Sequence, residues 1–193
     1  MLPKQFLFLG LFWVCVTTTS QQNATPSNQV GLSAQVYPAG FIPTVNYEHF
    51  FNGKGSVVFR LGFNFTDRQD FSDVNLTEEG EGFGGSFGYR KHFPVGKGRI
   101  VVGLNTDIWS MEIDWTDEVQ ESPSGPIAPI SGNTNILVVQ PWLEGGYFLP
   151  IKNTKSSFGA TLGFGREINV ITDGEEVAQG FIGSVSVQYL ISI

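Results

Sequence analysis

The closing stretch of the chain, FIGSVSVQYLISI at residues 181–193, decides the fold. Phe181, Gly183, Val185, Val187, Tyr189, Ile191 and Ile193 share one face of an extended chain, and Ser184, Ser186, Gln188 and Ser192 share the other. Side chains alternate sides in a β-strand, so this period of two predicts a strand with one apolar and one polar face. Working outward, Val57, Phe59, Leu61, Phe63 and Phe65 oppose Ser56, Arg60, Gly62, Asn64 and Thr66 in the same way. Phe158, Ala160, Leu162 and Phe164 likewise oppose Ser157, Gly159, Thr161 and Gly163. Eight such strands are predicted, at 29–38, 43–52, 55–67, 81–93, 98–115, 134–149, 156–168 and 178–193.

The connections alternate in length. Those near Asn52 to Lys54, Gly96 to Lys97 and Ile151 to Thr154 are tight, whereas 67–80, 116–133 and 167–177 are long; Pro38 to Ile42 makes a short first loop at the long-loop end. An antiparallel up-and-down barrel with both chain ends on one side produces this rhythm. Charge sorts with it: of the eighteen carboxylates, all but Glu48, Asp107 and Glu144 fall in or beside the long-loop end. Lys54, Lys91, Lys97, Arg99, Lys152 and Lys155 fall in or beside the tight turns.

The amino terminus carries Lys4, an apolar run from Phe6 to Val16, and the small polar stretch Thr17 to Ser20. Charge, length and order are those of a secretory signal peptide, and the run is too short to span a bilayer as a helix. Cleavage is expected after Ser20, with Thr18 the other small residue, leaving 1–20 as the signal and 21–193 as one domain. Cys15 is read as an apolar member of the signal rather than a lipoprotein cysteine, because Phe12, Trp13 and Val14 are not the small residues such processing needs. It is also the only cysteine, so neither disulfides nor thiolate metal sites are expected in the rest of the chain. No run after residue 20 is long enough for a transmembrane helix; a membrane would be entered as strands. Twenty-four Gly and seventeen Phe agree with an all-β chain.

Alternation does not say which face looks inward, and a soluble lipocalin-like ligand carrier competes with a membrane barrel. Three features favour an apolar exterior. The polar face is rich in Gly and Ser and suits a narrow lumen. Tyr47, Phe51, Tyr89, Phe93 and Tyr147 gather near the tight turns like an interfacial girdle. The chain also ends on a strand, with no trailing helix to pack on a soluble barrel.

The signal, the eight strands and the closing VQYLISI of 187–193 resemble the small OmpA/OmpX-type outer-membrane barrels. The segment NYEHFF at 46–51, followed by Gly53, Lys54, Gly55, Ser56 and an aromatic strand, resembles the second hairpin of the outer membrane protein beta-barrel domain group. The resemblance implies an eight-stranded transmembrane β-barrel in the bacterial outer membrane, in contact with its lipids and lipopolysaccharide. It also implies a monomer inserted by the barrel-assembly machinery, which reads the carboxy-terminal strand; Ile193 stands where that signal usually has Phe.

The lumen face would carry Glu48, Arg60, Arg90, Asp107 and Glu144, with His92 at the rim and Glu48 near enough to Arg60 to pair across strands. Charges in a narrow barrel are paired or hydrated, so a structural ion-pair network is expected, against a narrow ion-conducting path. No catalytic residue, cofactor or metal is assigned. His49 and His92 both fall near the tight turns, away from an outer-leaflet lipid, and Ser110 near Glu112 and Asp114 has no histidine in reach. Asp67, Asp70, Asp73, Glu78, Glu79 and Glu81, with Asp173, Glu175 and Glu176, fit no EF-hand and read as a solvated acidic surface rather than a cation site. Pro123, Pro126 and Pro129 fall on one edge of a polyproline II segment.

Along the fifth strand the apolar residues change face after Ile108, so that Trp109, Met111, Ile113 and Trp115 would point inward. A bulge restoring the outward direction is expected, the alternative being a protruding edge open to strand addition. The sequons at Asn23, Asn64 and Asn75 are chance matches, and the net charge of −7 with no basic patch excludes a nucleic-acid partner. The reading is a structural or surface-interacting outer-membrane barrel whose outer partner the sequence does not name, with a narrow porin-like channel and a lipocalin-like carrier as alternatives.

Overall fold

The computed structural model describes residues 28–51, 54–68, 74–120 and 125–193. The expected signal at 1–20, Asn23, Asp70, Asp73 and Pro123 lie outside them. Within them the chain forms β1 (Asn28–Tyr37), β2 (Gly40–Phe51), β3 (Gly55–Asp67), β4 (Thr77–Val95), β5 (Gly98–Gln120), β6 (Ile127–Pro150), β7 (Ser156–Arg166), β8 (Ile168–Asp173) and β9 (Phe181–Ser192). Each strand from β1 to β6 pairs antiparallel with the next, β9 joins β7 to β1, and the sheet closes into a ring of eight. β8 extends the line of β7 along β6.

The registers fix how the ring closes. A row of partners starting at Phe158 runs through Tyr189, Leu32, Val45, Leu61, Gly85, Ile108 and Val139, and returns to the line of β7 and β8 at Ile168, ten residues farther on. A stagger of this size over eight strands tilts them by roughly 40° and leaves an interior just wide enough for side chains. The same ten residues climb roughly 25 Å along the axis, the height of the apolar band on a membrane barrel.

The first connection is tighter than expected: β2 begins at Gly40, and only Pro38 and Ala39 turn the chain. At the opposite end Gly96 at φ 59° and Asn153 at φ 62° take the left-handed backbone that tight turns demand. β4 starts at Thr77 rather than 81, and β5 and β6 run on together to Gln120 and from Ile127. The expected long loop at 116–133 is therefore mostly hairpin. Its charges and prolines lower strand propensity, but a ladder already nucleated below carries them along. Pro129, expected in a polyproline II segment, pairs with Glu118; β6 has no second strand partner there, so the missing N–H is tolerated.

The two faces decide the solvent. Phe59, Phe63, Val185 and Val187 on the outer face are 51%, 58%, 53% and 44% exposed, whereas Glu48 and Arg60 inside are 0% and 5% exposed. A water-soluble barrel would reverse this arrangement, so the lipocalin-like alternative falls. One consequence is quantitative. Leu61→Arg, on the same face, should lower bilayer stability by about 2–4 kcal/mol. The check is urea-driven unfolding from vesicles, and a barrel living in water would tolerate the same change without loss.

Candidate functional site: the barrel interior

The interior is layered. Nearest the tight turns, Arg90 of β4 donates from Nε and Nη2 to both oxygens of Glu144 on β6, at 2.5 and 3.1 Å. Its Nη1 pairs with Glu48 of β2 at 3.5 Å, and Nη2 also reaches Gln188 of β9 at 3.2 Å. Glu48 accepts from Ser56 Oγ at 2.5 Å and lies 3.2 Å from His92 Nε2. Beneath, Arg99 stacks 5.2 Å from the Phe50 ring centre and 5.4 Å from that of Phe148, and donates to Gln29 at 2.8 Å. Fully buried charges are costly unless paired and hydrogen-bonded, and Arg90 meets that demand with two-point geometry toward Glu144, whereas Arg99 Nε and His92 Nδ1 are buried without a hydrogen-bond partner.

One layer up, Arg60 of β3 donates to Asp107 of β5 at 3.0 Å, to Ser86 at 2.6 Å and to Gln35 at 3.3 Å. The second oxygen of Asp107 accepts from Trp142 Nε1 at 3.0 Å. The structure thus brings all five expected residues into the lumen but divides them. Glu48 does not pair with Arg60; it pairs with Arg90 and His92, and Arg60 pairs with Asp107. In register Arg60 faces Asn46, and a guanidinium at that height reaches across the lumen sooner than down the wall.

Above Asp107 the chemistry inverts. β5 continues in unbroken register with β4 and β6, so there is no bulge, and Trp109, Met111 and Ile113 point inward and are buried. Together with Tyr37, Ile42, Ile136, Val138 and Val177 they form an apolar core. Outward, Ser110, Glu112 and Asp114 take the places that lipid-facing residues hold below. This is the pattern of a strand leaving a membrane: apolar outside while in lipid, apolar inside once in water. Gly80, Gly82 and Gly84 of β4 face Ile113, Met111 and Trp109 in register. A Cβ on Gly84 would stand 2.7 Å from the Trp109 ring and 2.0 Å from a backbone oxygen, so the indole needs glycine beside it.

A strap at 174–180, between β8 and β9, crosses the mouth over this core. Arg68 pairs with Glu78 at 3.1 Å and with Glu167, and donates to Ala178 O at 2.6 Å. Burial works against the Arg68 charge, but Glu167, Tyr37 and Glu78 outweigh it and hold its pKa above the ordinary arginine value. Glu78 accepts from Ala178 N at 3.0 Å, Asn75 donates to Glu176 O at 3.1 Å, and Thr134 donates to Glu175 O at 3.1 Å. Glu78 and Glu167, which read as part of the acidic surface or went unremarked, are buried latch residues. Isolated acidic residues carry no pattern; the change of face at Trp109 and the Gly80, Gly82, Gly84 series are the signals in the chain that point to an upper core. His49 faces outward, 2.8 Å from Asn28 Oδ1, and His92 is buried. Among the described residues no group of His, Cys, Asp and Glu is arranged to hold a metal.

No family model and no curated protein matches the chain. Two solved structures are similar to it. The N-terminal β-barrel domain of Pseudomonas aeruginosa OprF is 12% identical, with 85% of this chain and 96% of that one covered and a TM-score of 0.43. Neisserial surface protein A is 9% identical, with 86% and 94% covered and a TM-score of 0.52. At such identity a likeness speaks for the fold alone. With its ring closure and its faces, that places this chain in the fold of the small eight-stranded outer-membrane β-barrels.

Proposed function

We propose that the protein is a monomeric, non-conducting barrel of the bacterial outer membrane, with the strap and the β5–β6 hairpin facing the medium and the tight turns facing the periplasm. Its role is structural or surface-interacting rather than catalytic. The observation that carries this reading is the polarity inversion on β5 between Asp107 and Trp109, which marks where strand leaves lipid. Asp67, Glu79, Glu81, Glu112, Asp114, Glu118, Asp173, Glu175 and Glu176 are exposed toward the loop end, which supports an acidic face toward the medium. Three successive layers, at Arg90, at Arg60 and at the Trp109 core, fill the lumen and favour an occluded interior over a narrow channel. Insertion by the barrel-assembly machinery and contact with lipopolysaccharide belong to the same reading.

Planar-bilayer recording tests it. The wild-type chain should insert without single-channel steps. Steady steps from folded protein would replace this reading with the channel.

A further inference from the structure

The outer surface at the loop end is not uniform. On β3, β4 and β5 the rows Asp67, Glu79, Asp114 and Glu81, Glu112 place carboxylates side by side, facing outward. On β7 the equivalent face carries Arg166. It is the only exposed Lys or Arg at this end among the described residues, Arg68 being buried. Arg166 makes no ion pair among them, and its guanidinium rests 5.4 Å from the Phe181 ring centre.

Its surroundings are apolar. Phe181 is its register partner, and Phe164, two residues below on the same face, stacks on Phe181 with centroids 5.7 Å apart and planes at 6°. Two residues above stands Ile168, and beyond it Ile171, in register with Val139 and Leu137 of β6. Apolar side chains therefore climb higher here than on β4 and β5, and they are continuous with the lipid-facing belt. β8 pairs with β6 alone as a strand, and on its other side Asn169 donates from its backbone N–H to Gln179 Oε1 at 3.0 Å and from Nδ2 to Val177 O at 3.1 Å in the strap.

We propose that Arg166, Phe164, Phe181 and Ile168 form a binding site for a single anionic lipid. The guanidinium takes the phosphate, and the acyl chains lie along Phe164, Phe181 and Ile168. Arginine suits the task because its planar fork meets two phosphate oxygens while its stem lies on apolar surface. The carboxylates of β3 to β5 repel the same headgroup, so the lipid has one side of the barrel to choose. This site rests on the outer-membrane reading above.

The test is native mass spectrometry of the barrel released from detergent with dioleoyl phosphatidic acid, with dioleoyl phosphatidylcholine as the zwitterionic comparison. Wild type should retain one phosphatidic acid, Arg166→Gln should retain it roughly tenfold less, and Arg166→Lys should recover part of the loss. Lys91→Gln, at the opposite rim, should behave as wild type. Heat-modifiable gel mobility in every variant separates a lost site from a lost fold. Equal retention by wild type and Arg166→Gln overturns the site. Displacement of the lipid by excess inorganic phosphate makes it a free-anion site and overturns the lipid assignment. A wild-type chain without the heat shift fails at the membrane reading itself, and the proposal falls with it.

Discussion

Arg90→Met should lower the unfolding free energy by about 3–5 kcal/mol, one of the two largest losses expected from a single substitution in this barrel. The guanidinium is buried and answers Glu144 with two hydrogen bonds and Glu48 with an ion pair. Removing it leaves two carboxylates facing each other in a lumen closed above by Arg60 and below by Arg99. His92 and Ser56 still hold Glu48, but Glu144 loses its charged partner. A second substitution, Glu144→Leu, should therefore recover part of the loss, because an apolar pair costs less than an orphaned charge. Urea unfolding in detergent, read by tryptophan fluorescence, gives both numbers. A midpoint for Arg90→Met equal to wild type would mean that the ion pairs do not hold the wall together.

Trp109→Ala should cost about as much, roughly 3–5 kcal/mol, but the loss should be local. The indole is the largest member of the upper core, and Val177 of the strap is buried in the same cluster. Below it Arg60, Asp107 and Trp142 keep their own hydrogen bonds. The expected result is a barrel that keeps its heat-modifiable mobility while the strap opens. Cleavage by a glutamate-specific protease at Glu175 or Glu176 should rise roughly a hundredfold or more. Unchanged cleavage would show that the latch at Arg68, Glu78 and Asn75 holds the strap without the core.

Much of the fold was legible because a period of two leaves few alternatives. The strands and the grouping of Glu48, Arg60, Arg90, Asp107 and Glu144 on the polar face follow from parity along the chain, and the Gly- and Ser-rich polar face with the aromatic girdle turned that face inward. What parity does not carry is the third dimension. Which arginine meets which carboxylate depends on the stagger of ten residues, which no single strand records, and so Glu48 was matched with Arg60 instead of Arg90. The same limit applied to β5. The change of face at Trp109 was visible, but it was read as an error of register to be corrected by a bulge. In the structure the register holds, and it is the solvent around the strand that changes. Residues 77–80 and 116–120 looked like loop because Glu, Asp and Gly disfavour strands in isolation, whereas β4, β5 and β6 support one another past the lipid. The latch was hidden for a different reason. The β3–β4 pairing brings Glu78 to Arg68, but Glu167 lies 99 residues further along the chain and only the closed ring brings it there.

The orientation of the two faces is tested most directly by nitroxide labels on a Cys15→Ser chain reconstituted in vesicles. Single cysteines at Phe59, Leu61, Phe63, Val185 and Val187 would carry the probes, with Glu112 as the water-facing reference. Collisions with oxygen dissolved in lipid should be frequent at the first five and collisions with a water-soluble nickel chelate rare, the reverse of Glu112. Nickel collisions at Phe63 and Val187 as frequent as at Glu112 would mean that the apolar face does not meet lipid.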